Sequence, residues 1–553
     1  MNETSTLPVS RLAMLAGARK SAPEYYGPFL DSDDEVLKVG AWCILLDRRD
    51  ITLEQLPQLV KLARYASIRN KSFPLLQDIW EYALASQVAA QPLEVTEDRA
   101  EALLLSAKSR SDDAAQAVAY REQFLATGRT GLLRHIVQAI EHSDGWATAL
   151  PYAVDGLLLA PHDPMMANAL LLLLQQARQA DQLDSAIEHL SRSDLHPYLQ
   201  GLYRAALLQL RGDPSGALAA LRKFSTLKPP RPDMLKAATP IALIIRAECL
   251  DKLGRYEEAY GAYVELNQVD QGARIKLESF GAAVVQHANV TLAPMAADPR
   301  AGNHFDMLGF PRSGTTLLEN ALAAHPAIET FEERPSMTAV RRYLNTHLRD
   351  DSSPEETSAL FLEARERYYL ELDIARRKKG ASVFVDKLPI RSAEAKILIK
   401  LFPEKRYVFS IRHPFDVVLS CFKQHFAPNF AMEHFRRMDT AARLYDFALE
   451  QWFDTFSMDD ERVHYVRYDA LVTDFEATIG STLSFLGLEW DDDVLNFASA
   501  ADARSARTPS YQKVRQGLSI GVQSSWRNYG FLFESEAARP LYKWAEFFGY
   551  PTK

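Results

Sequence analysis

Apolar positions in the first half of the chain recur at helical spacing. Between about residue 30 and residue 290, apolar side chains return every three or four positions, and runs that alternate apolar and polar residues are few. This periodicity predicts one amphipathic helix after another. A long helical region of this kind calls for a comparison of its segments with one another, because helical repeats are the common way to build one.

Two segments, 205–229 and 247–263, align with each other. Small residues and a glycine occupy the same offsets in both segments: Ala205, Gly212 and Ala217 in the first, Ala247, Gly254 and Ala259 in the second. Small residues allow close approach of antiparallel helices, and the glycine suits the turn between them. The pattern resembles the tetratricopeptide repeat, with a weaker third unit at 175–190. A generic helical bundle is the alternative.

The residue composition changes at 289–305, where Pro, Gly and Asn cluster as in a linker. We therefore predict an all-helical, tetratricopeptide-repeat-like domain over 1–295 and a second domain over 300–553. In the second domain, strand-like runs ("HFDMLGF", "SVFVDKL", "RYVFSIRHP", "RVHYVRYDAL") alternate with helical stretches. Such alternation predicts an α/β fold with a parallel sheet, whose ligands bind at the carboxyl ends of the strands.

Composition narrows the class of protein. The chain has 553 residues, 47% hydrophobic and 24% charged, with a net charge of −9. These values are typical of a soluble protein of two or more domains and argue against a nucleic-acid-binding protein. Three widely spaced cysteines suit a reducing compartment and form no metal-binding spacing. Because no apolar run resembles a signal peptide or a membrane span, we expect a cytoplasmic protein.

One stretch, "LGFPRSGTTLLENALAAHP" at 308–326, has the layout of a phosphate-binding loop. Gly309, Gly314 and Thr316 keep the spacing of a Walker loop, but Thr315 stands where that loop has its lysine. Backbone amides at the start of the following helix can still surround a phosphate. Arg312 adds positive charge. The loop is thus suited to a phosphate and poorly suited to ATP hydrolysis.

"PRSGTT" after a strand resembles the 5′-phosphosulfate loop of sulfotransferases, which use 3′-phosphoadenosine 5′-phosphosulfate as co-substrate and need no metal. The resemblance implies donor contacts from the loop residues Arg312, Ser313, Gly314, Thr315 and Thr316. It also implies that Arg412, at a strand end, and Ser420, eight residues later, bind the 3′-phosphate. Arginine suits that role because its guanidinium is permanently charged and bidentate. Tyr468 matches a family tyrosine near the nucleotide.

The segment after the loop is most similar to the tyrosylprotein sulfotransferase branch, which has a glutamate pair at the same place. The resemblance implies that Glu333 is the general base, with Glu332 as second choice, and that Lys387 touches the leaving-group oxygen. A carboxylate can accept the acceptor's proton, and a fixed ammonium lowers the cost of developing negative charge. Pro335 departs from the branch, which has a substrate-contacting arginine there.

The C-terminal segment "TPSYQKVRQGLSIGVQSSWRNYG" at 508–530 extends the match. Ser510 falls where the family has a serine that helps to hold the transferring group. Ser525 replaces the lysine that precedes Trp526 in this branch. We expect Arg527, rather than Arg515, to supply that charge at the donor site.

The sequence therefore predicts a sulfotransferase that moves a sulfuryl group to an acceptor hydroxyl. The glutamate pair and the repeats favour a peptide tyrosine, held by the helical region. A carbohydrate or a small alcohol is an open alternative as acceptor. A P-loop nucleotide kinase or NTPase, and a catalytically inactive repeat-containing scaffold, are the alternative functions. We expect no nucleic-acid partner, no membrane span and no metal.

Overall fold

The computed structural model describes residues 104, 113–192, 195–269, 277–334, 336–376, 378–426, 429–497 and 524–553. These residues form two compact units, one ending at Ala259 and the other starting at Tyr260. The division falls inside the helix Tyr256–Gln268. The sequence-based domain boundary at 295–300 stays a prediction.

The first unit is helical throughout its described part, which confirms the predicted fold class there. Its helices are α1 (Asp113–Thr127), α2 (Leu133–Asp144), α3 (Trp146–Leu159), α4 (Pro164–Gln176), α5 (Ala180–Arg192), α6 (Pro197–Leu210), α7 (Pro214–Phe224), α8 (Pro232–Lys252) and α9 (Tyr256–Gln268). Leucine and alanine side chains from α2 to α8 fill one continuous core. Helices predicted between residue 30 and residue 112 lie outside the described residues, apart from Leu104.

Three helices of this unit end in the same kind of turn. Gly212 follows α6 with φ 81°, and Gly254 follows α8 with φ 73°. In both turns the next amide bonds back to a carbonyl five residues earlier, Asp213 to Leu208 and Arg255 to Leu250. This is the Schellman arrangement, which favours glycine because its φ is positive. Arg178 occupies the equivalent place after α4 with φ 56°.

The second unit contains a five-stranded sheet. Its strands are β1 (His304–Leu308), β2 (Ile328–Glu332), β3 (Val383–Lys387), β4 (Arg406–Ile411) and β5 (Val463–Arg467). They lie in the order β2-β3-β1-β4-β5, and each pairing is parallel. The predicted parallel sheet is confirmed. The sequence interpretation identified four of the five strands and missed β2.

Helices connect these strands and cover the sheet. They are α10 (Leu277–Val285), α11 (Thr315–Ala324), α12 (Ser336–His347), α13 (Pro354–Ala375), α14 (Ala395–Leu401), α15 (Pro414–Phe422), α16 (Met438–Phe453), α17 (Tyr468–Thr473), α18 (Phe475–Leu486) and α19 (Arg539–Phe547). β1 and β3 are buried along their whole length, and their polar residues His304, Asp306, Asp386 and Lys387 are buried together with the apolar ones. Within the described ranges, no helix combines the length and the apolar character needed to cross a membrane.

Strand order determines where a ligand can enter the second unit. From the central strand β1 the chain passes to β2 at one edge, whereas β4 and β5 lie on the other side of β1. A crevice forms at the carboxyl ends of the strands where such a reversal occurs. The phosphate-type loop follows β1, and Arg412 follows β4 directly, so both lie at this end of the sheet.

Candidate active site

Both close packing and backbone angle require glycine at the two glycine positions of the phosphate-type loop. Gly309 has φ 147°, and a Cβ there would lie 2.7 Å from the carbonyl oxygen of Ser410. Gly314 has φ 97°, and a Cβ there would lie 2.3 Å from the ring of Tyr468. Only glycine fits both constraints without movement of the neighbours. The loop is therefore held between the end of β4 and the start of α17.

Arg312 joins the loop to the second predicted phosphate motif. Its guanidinium Nε donates a hydrogen bond to Ser420 Oγ at 3.0 Å. Arg412 donates in turn to the main-chain oxygen of Arg312 at 3.2 Å. Arg312 adopts φ 72°, an unfavourable angle for a residue with a side chain. Residues about one hundred positions apart in sequence thus meet in one cluster, which we call the donor cluster: Arg312, Arg412, Ser420 and Tyr468.

Tyr468 completes the donor cluster. Its ring centre lies 4.5 Å from the guanidinium carbon of Arg412, a cation–π distance. Burial lowers the pKa of Arg312 to about 10, and the neighbouring charge of Arg412 acts in the same direction. A guanidinium with that pKa still keeps its proton at neutral pH. The cluster therefore presents two adjacent cations, an arrangement that an anionic ligand stabilises.

The hydroxyl residues of the loop lie at the start of α11. Ser313, Thr315 and Thr316 are all buried, and Ser313 Oγ accepts a hydrogen bond from the Phe310 amide at 3.3 Å. α11 begins at Thr315, so its first amides point toward the loop. Free amides and the positive end of the helix dipole form an anion-binding end. The position of these residues matches the layout that the sequence predicts.

A second cluster surrounds Lys387 at the carboxyl end of β3. Its Nζ lies 3.1 Å from Glu332 Oε1, 3.5 Å from Glu333 Oε1 and 3.2 Å from Glu319 Oε2. The register of the sheet explains one of these contacts, because Glu332 pairs directly with Lys387. We call Lys387, Glu319, Glu332 and Glu333 the acid cluster. One ammonium is thus shared by three carboxylates.

Glu333 differs from its partners in conformation and exposure. Its backbone has φ 49°, and its amide donates to the Lys387 carbonyl oxygen at 2.8 Å. Its side chain is 39% exposed, compared with 11% for Glu332 and 1% for Glu319. Among the three carboxylates, Glu333 is the one that a substrate hydroxyl can reach most easily from solvent.

A buried polar network fixes the chain that follows Glu333. Arg391 donates to Asp386 at 2.6 Å, to Ser336 Oγ at 2.9 Å and to the Arg334 carbonyl at 3.4 Å. Ser336 also donates to Asp386 at 2.8 Å. Because Asp386 precedes Lys387 on β3, the network ties the loop carrying Glu333 to the strand carrying Lys387.

Asp416 holds the C-terminal segment near the donor cluster. Its carboxylate accepts hydrogen bonds from the Ser524 amide at 3.0 Å, from Ser525 Oγ at 2.9 Å and from the Trp526 amide at 3.0 Å. Asp416 lies in the first turn of α15, one turn before Ser420. The serine that replaces the expected lysine thus has a partner of its own.

Not every predicted residue joins the two clusters. Arg527 is exposed, donates to the carbonyl of Lys553 at 3.2 Å and stacks beside Trp526. In this structure its side chain is therefore directed toward the C-terminal segment. Ser510 and Arg515 lie outside the described residues, as does Pro335. Their assigned roles stay predictions.

Sequence interpretation missed two residues of the site, Glu319 and Asp416. A signal for Glu319 exists, since it is the one charged residue of the α11 sequence "TTLLENALAA" and lies one helical turn after Thr315. Asp416 gives no such signal. An acidic residue in the first turn of a helix is common for reasons of helix stability alone.

Part of the chain is similar to known proteins. Residues 307–492 match the model of the sulfotransferase family. Protein-tyrosine sulfotransferase 2 of Gallus gallus is 27% identical over 196 residues, which cover 34% of this chain and 52% of that protein. Protein-tyrosine sulfotransferase A of Caenorhabditis elegans is 28% identical over 199 residues, covering 34% and 50%. The chain thus spans about half the length of these two relatives.

Two further comparisons concern a protein of another name and a solved structure. An uncharacterised protein of Aquifex aeolicus is 27% identical over 235 residues, covering 40% of this chain and 30% of that protein. Among solved structures, the sulfotransferase domain of the Synechococcus PCC 7002 olefin synthase aligns with 48% of this chain and 99% of its own, at 20% identity and a TM-score of 0.35. The matched region 307–492 contains the phosphate-type loop, both glutamates, Lys387 and the Arg412–Ser420 pair, and it is similar to the sulfotransferase family.

Proposed function

We propose that this protein transfers the sulfuryl group of 3′-phosphoadenosine 5′-phosphosulfate to an acceptor hydroxyl. The observation that carries the proposal is the hydrogen bond between Arg312 and Ser420, which unites the two predicted phosphate motifs in one cluster. A donor with phosphate at both ends of its ribose needs two anion sites at a fixed separation. A nucleoside triphosphate needs contiguous sites and, in a Walker loop, the lysine that Thr315 replaces.

The donor residues divide between the two phosphates. In the proposal, Arg312, Ser313, Gly314, Thr315 and Thr316 hold the 5′-phosphosulfate at the start of α11. Arg412 and Ser420 hold the 3′-phosphate, Tyr468 lies against the nucleotide, and Arg527 approaches the 3′-phosphate from the C-terminal segment. Charged hydrogen bonds from arginine give such a site most of its affinity for anions.

In the proposed reaction the acceptor oxygen attacks sulfur in line with the leaving phosphate. The carboxylate of Glu333 accepts the hydroxyl proton as the new oxygen–sulfur bond forms. The bond between sulfur and the bridging oxygen breaks, and its electron pair leaves with adenosine 3′,5′-bisphosphate. Lys387, 3.5 Å from Glu333 Oε1, stabilises the charge that develops on the bridging oxygen. Arg312 and Ser510 stabilise the transferring group.

We further propose a peptide tyrosine as the acceptor and a tetratricopeptide-like array as its binding region. Two relatives are named protein-tyrosine sulfotransferases. The helix-ending turns at Arg178 and Gly212 are 34 positions apart, which is the length of one such repeat. The turns at Gly212 and Gly254 are 42 positions apart, since α8 is 21 residues long and continues through Pro240.

Transfer of labelled sulfuryl from the donor to a panel of tyrosine peptides, glycans and phenols tests the reaction and the acceptor together. We expect a tyrosine peptide to be labelled. Labelling of a glycan or phenol alone would make the acceptor assignment wrong and leave the reaction class intact. Hydrolysis of ATP without any sulfuryl transfer would favour a nucleotide kinase or NTPase. Donor binding without any transfer would favour the inactive scaffold.

Arg412→Ala tests the donor assignment separately. We expect the unaltered protein to bind adenosine 3′,5′-bisphosphate far more tightly than AMP. Loss of a charged hydrogen bond costs about 1.5–3 kcal/mol, so the variant should lose most of this preference. Calorimetry with both nucleotides measures it, with Arg443→Ala as a surface-arginine control. Equal affinity of the unaltered protein for the two nucleotides would contradict the proposal.

A further inference from the structure

A buried carboxylate lies within the helix that follows the phosphate-type loop. Glu319 is 1% exposed, and the other residues of α11 from Thr315 to Ala323 are buried as well. Carboxylates are almost never fully buried unless they are paired, because desolvation of the charge is costly. A leucine would fill an apolar helix face without that cost. The presence of Glu319 at this place therefore requires a specific partner, and Lys387 is that partner at 3.2 Å.

The three carboxylates around Lys387 differ in their access to solvent. Glu333 is the most exposed of the three, and Glu332 is mostly buried. Glu319 is as buried as Lys387, with both side chains 1% exposed. The carboxylate that acts as the base has to give up its ion pair with Lys387 in order to accept a proton from the acceptor. Once Glu333 does so, the ammonium still has to remain charged and in place beside the bridging oxygen.

We propose that Glu319 is the positioning residue that holds Lys387 from the interior throughout the reaction. The inference rests on the proposed sulfuryl transfer, because it assigns Lys387 a place beside the leaving group. Glu332 assists from β2, while Glu333 is released for proton transfer. The acid cluster thus separates two tasks, since one carboxylate moves and another keeps the ammonium charged and fixed.

Helix geometry links this anchor to the donor. Glu319 lies four residues after Thr315, so the two side chains share one face of α11. The same rigid element therefore sets both the phosphate-binding end and the place of the Lys387 ammonium. A carboxylate one turn from an anion site opposes donor binding electrostatically. Its benefit has to lie in the chemical step, so its loss should lower the rate more than the affinity.

Single-turnover transfer by four proteins tests the proposal: the parent, Glu319→Gln, Lys387→Met and the double variant. Glu319→Gln should slow transfer by about 10–100-fold, as removal of a residue that orients a catalytic group commonly does. Affinity for adenosine 3′,5′-bisphosphate should stay within about threefold or improve, because an opposing charge is lost. The double variant should be no slower than Lys387→Met, because Glu319 acts through Lys387.

Glu329→Gln is the matched control. Glu329 is also a buried carboxylate of this unit, on β2, and its Oε1 accepts from the Lys378 amide at 3.0 Å. It belongs to neither cluster, so its variant should transfer at the parent rate. Glu319→Met serves as a second variant should Glu319→Gln fold poorly. It keeps the side-chain volume in an apolar surrounding, and it should show the same rate loss.

Urea unfolding of the same four proteins separates this inference from the proposed reaction. Direct pairing predicts that the double variant loses less stability than the two single variants together. Such coupling in a protein that transfers nothing would make the proposed function wrong and leave the pairing established. Parent-rate transfer by Glu319→Gln, or rate losses that multiply in the double variant, would overturn the positioning role.

Discussion

Both compact units contain residues in the left-handed region of backbone angles, but among the described residues the long charged side chains at such angles, apart from Arg178, lie in the α/β unit. In the helical unit, Gly212 and Gly254 end helices with open space around them. Apart from the glycine and its two chain neighbours, no atom of the described residues lies within 4 Å of the place that a Cβ would take at either position. In the α/β unit, Arg312 at φ 72° and Glu333 at φ 49° adopt the same region despite their long side chains.

This difference separates backbone requirements from side-chain requirements. A turn that needs only a positive φ uses glycine, which adopts that angle without strain. A charged residue at such an angle costs of order 1–3 kcal/mol and persists only where the surroundings enforce it. Arg312 and Glu333 each carry a side chain that one of the two clusters uses. At Arg312 and Glu333 the strain therefore coincides with the proposed chemistry.

The largest expected effect comes from changing the chemistry of a strained residue while keeping its shape. Glu333→Gln preserves size and hydrogen bonding but cannot accept the acceptor proton. The transfer step should slow by about 10²–10⁴-fold, the usual contribution of a positioned base, while donor affinity is kept. Single-turnover transfer measures the rate, with Glu332→Gln as the matched control that should slow much less. Transfer by Glu333→Gln at the parent rate would place the base elsewhere.

A smaller effect should follow from removing the strain together with the charge. Arg312→Gly suits the φ of 72° at this position but loses the hydrogen bond to Ser420. Affinity for adenosine 3′,5′-bisphosphate should fall by about 10–150-fold, the equivalent of a charged hydrogen bond. The urea midpoint should stay equal or rise. Loss of stability without loss of affinity would show that Arg312 has a structural role instead.

The two kinds of glycine should respond differently to alanine. Gly212→Ala meets only the cost of the left-handed angle, about 1 kcal/mol of unfolding free energy. Gly314→Ala adds a clash with the Tyr468 ring, where a Cβ would lie at 2.3 Å, and overpacking of this kind costs about 1–3 kcal/mol more. Urea unfolding of both variants compares them directly. Equal losses would mean that Tyr468 moves aside easily.

The smallest expected effect is a change in stability at Arg178, the residue of the helical unit that has a long side chain at a positive φ. Arg178 adopts φ 56° in the turn where the other two helices have glycine. Arg178→Gly should raise the free energy of unfolding by about 0.5 kcal/mol, because relief of the angle outweighs the greater freedom of the unfolded chain. Gly254→Arg is the reciprocal variant and should lower stability. A loss of stability in Arg178→Gly would indicate that the arginine side chain makes a stabilising contact in the folded protein.

Local patterns predicted the parts of the α/β unit that depend on neighbouring residues. The apolar runs at β1, β3, β4 and β5, and the loop from Gly309 to Thr316, could be identified because strands and phosphate loops have short-range signatures. β2 was missed since its sequence, "IETFE", contains two acids in five residues. Its pairing with β3 satisfies the backbone, and Lys387 compensates the charge of Glu332.

Residues whose role depends on distant partners were missed in the sequence. Glu319 is marked there only as the one charged residue of α11, and its role becomes visible once Lys387 is known to lie 3.2 Å away. Asp416 resembles a helix-stabilising acid until the segment from Ser524 to Trp526 is seen to donate to it. The division between the compact units at Ala259 falls inside α9, so the helical pattern of the sequence gives no sign of it, and the boundary expected at 295–300 stays a prediction.

The contact between Asp416 and the C-terminal segment sets an order of events during synthesis. The Trp526 amide that bonds to Asp416 follows it by 110 residues, so a ribosome adding about 5–20 residues per second needs roughly 5–20 s to deliver it. Once β5 and Tyr468 have been made, the nascent chain has the sheet and the donor cluster but still lacks the segment that covers the start of α15. A polypeptide stalled in this interval would carry an unfinished donor site, so the site is complete only after Trp526 has been synthesised.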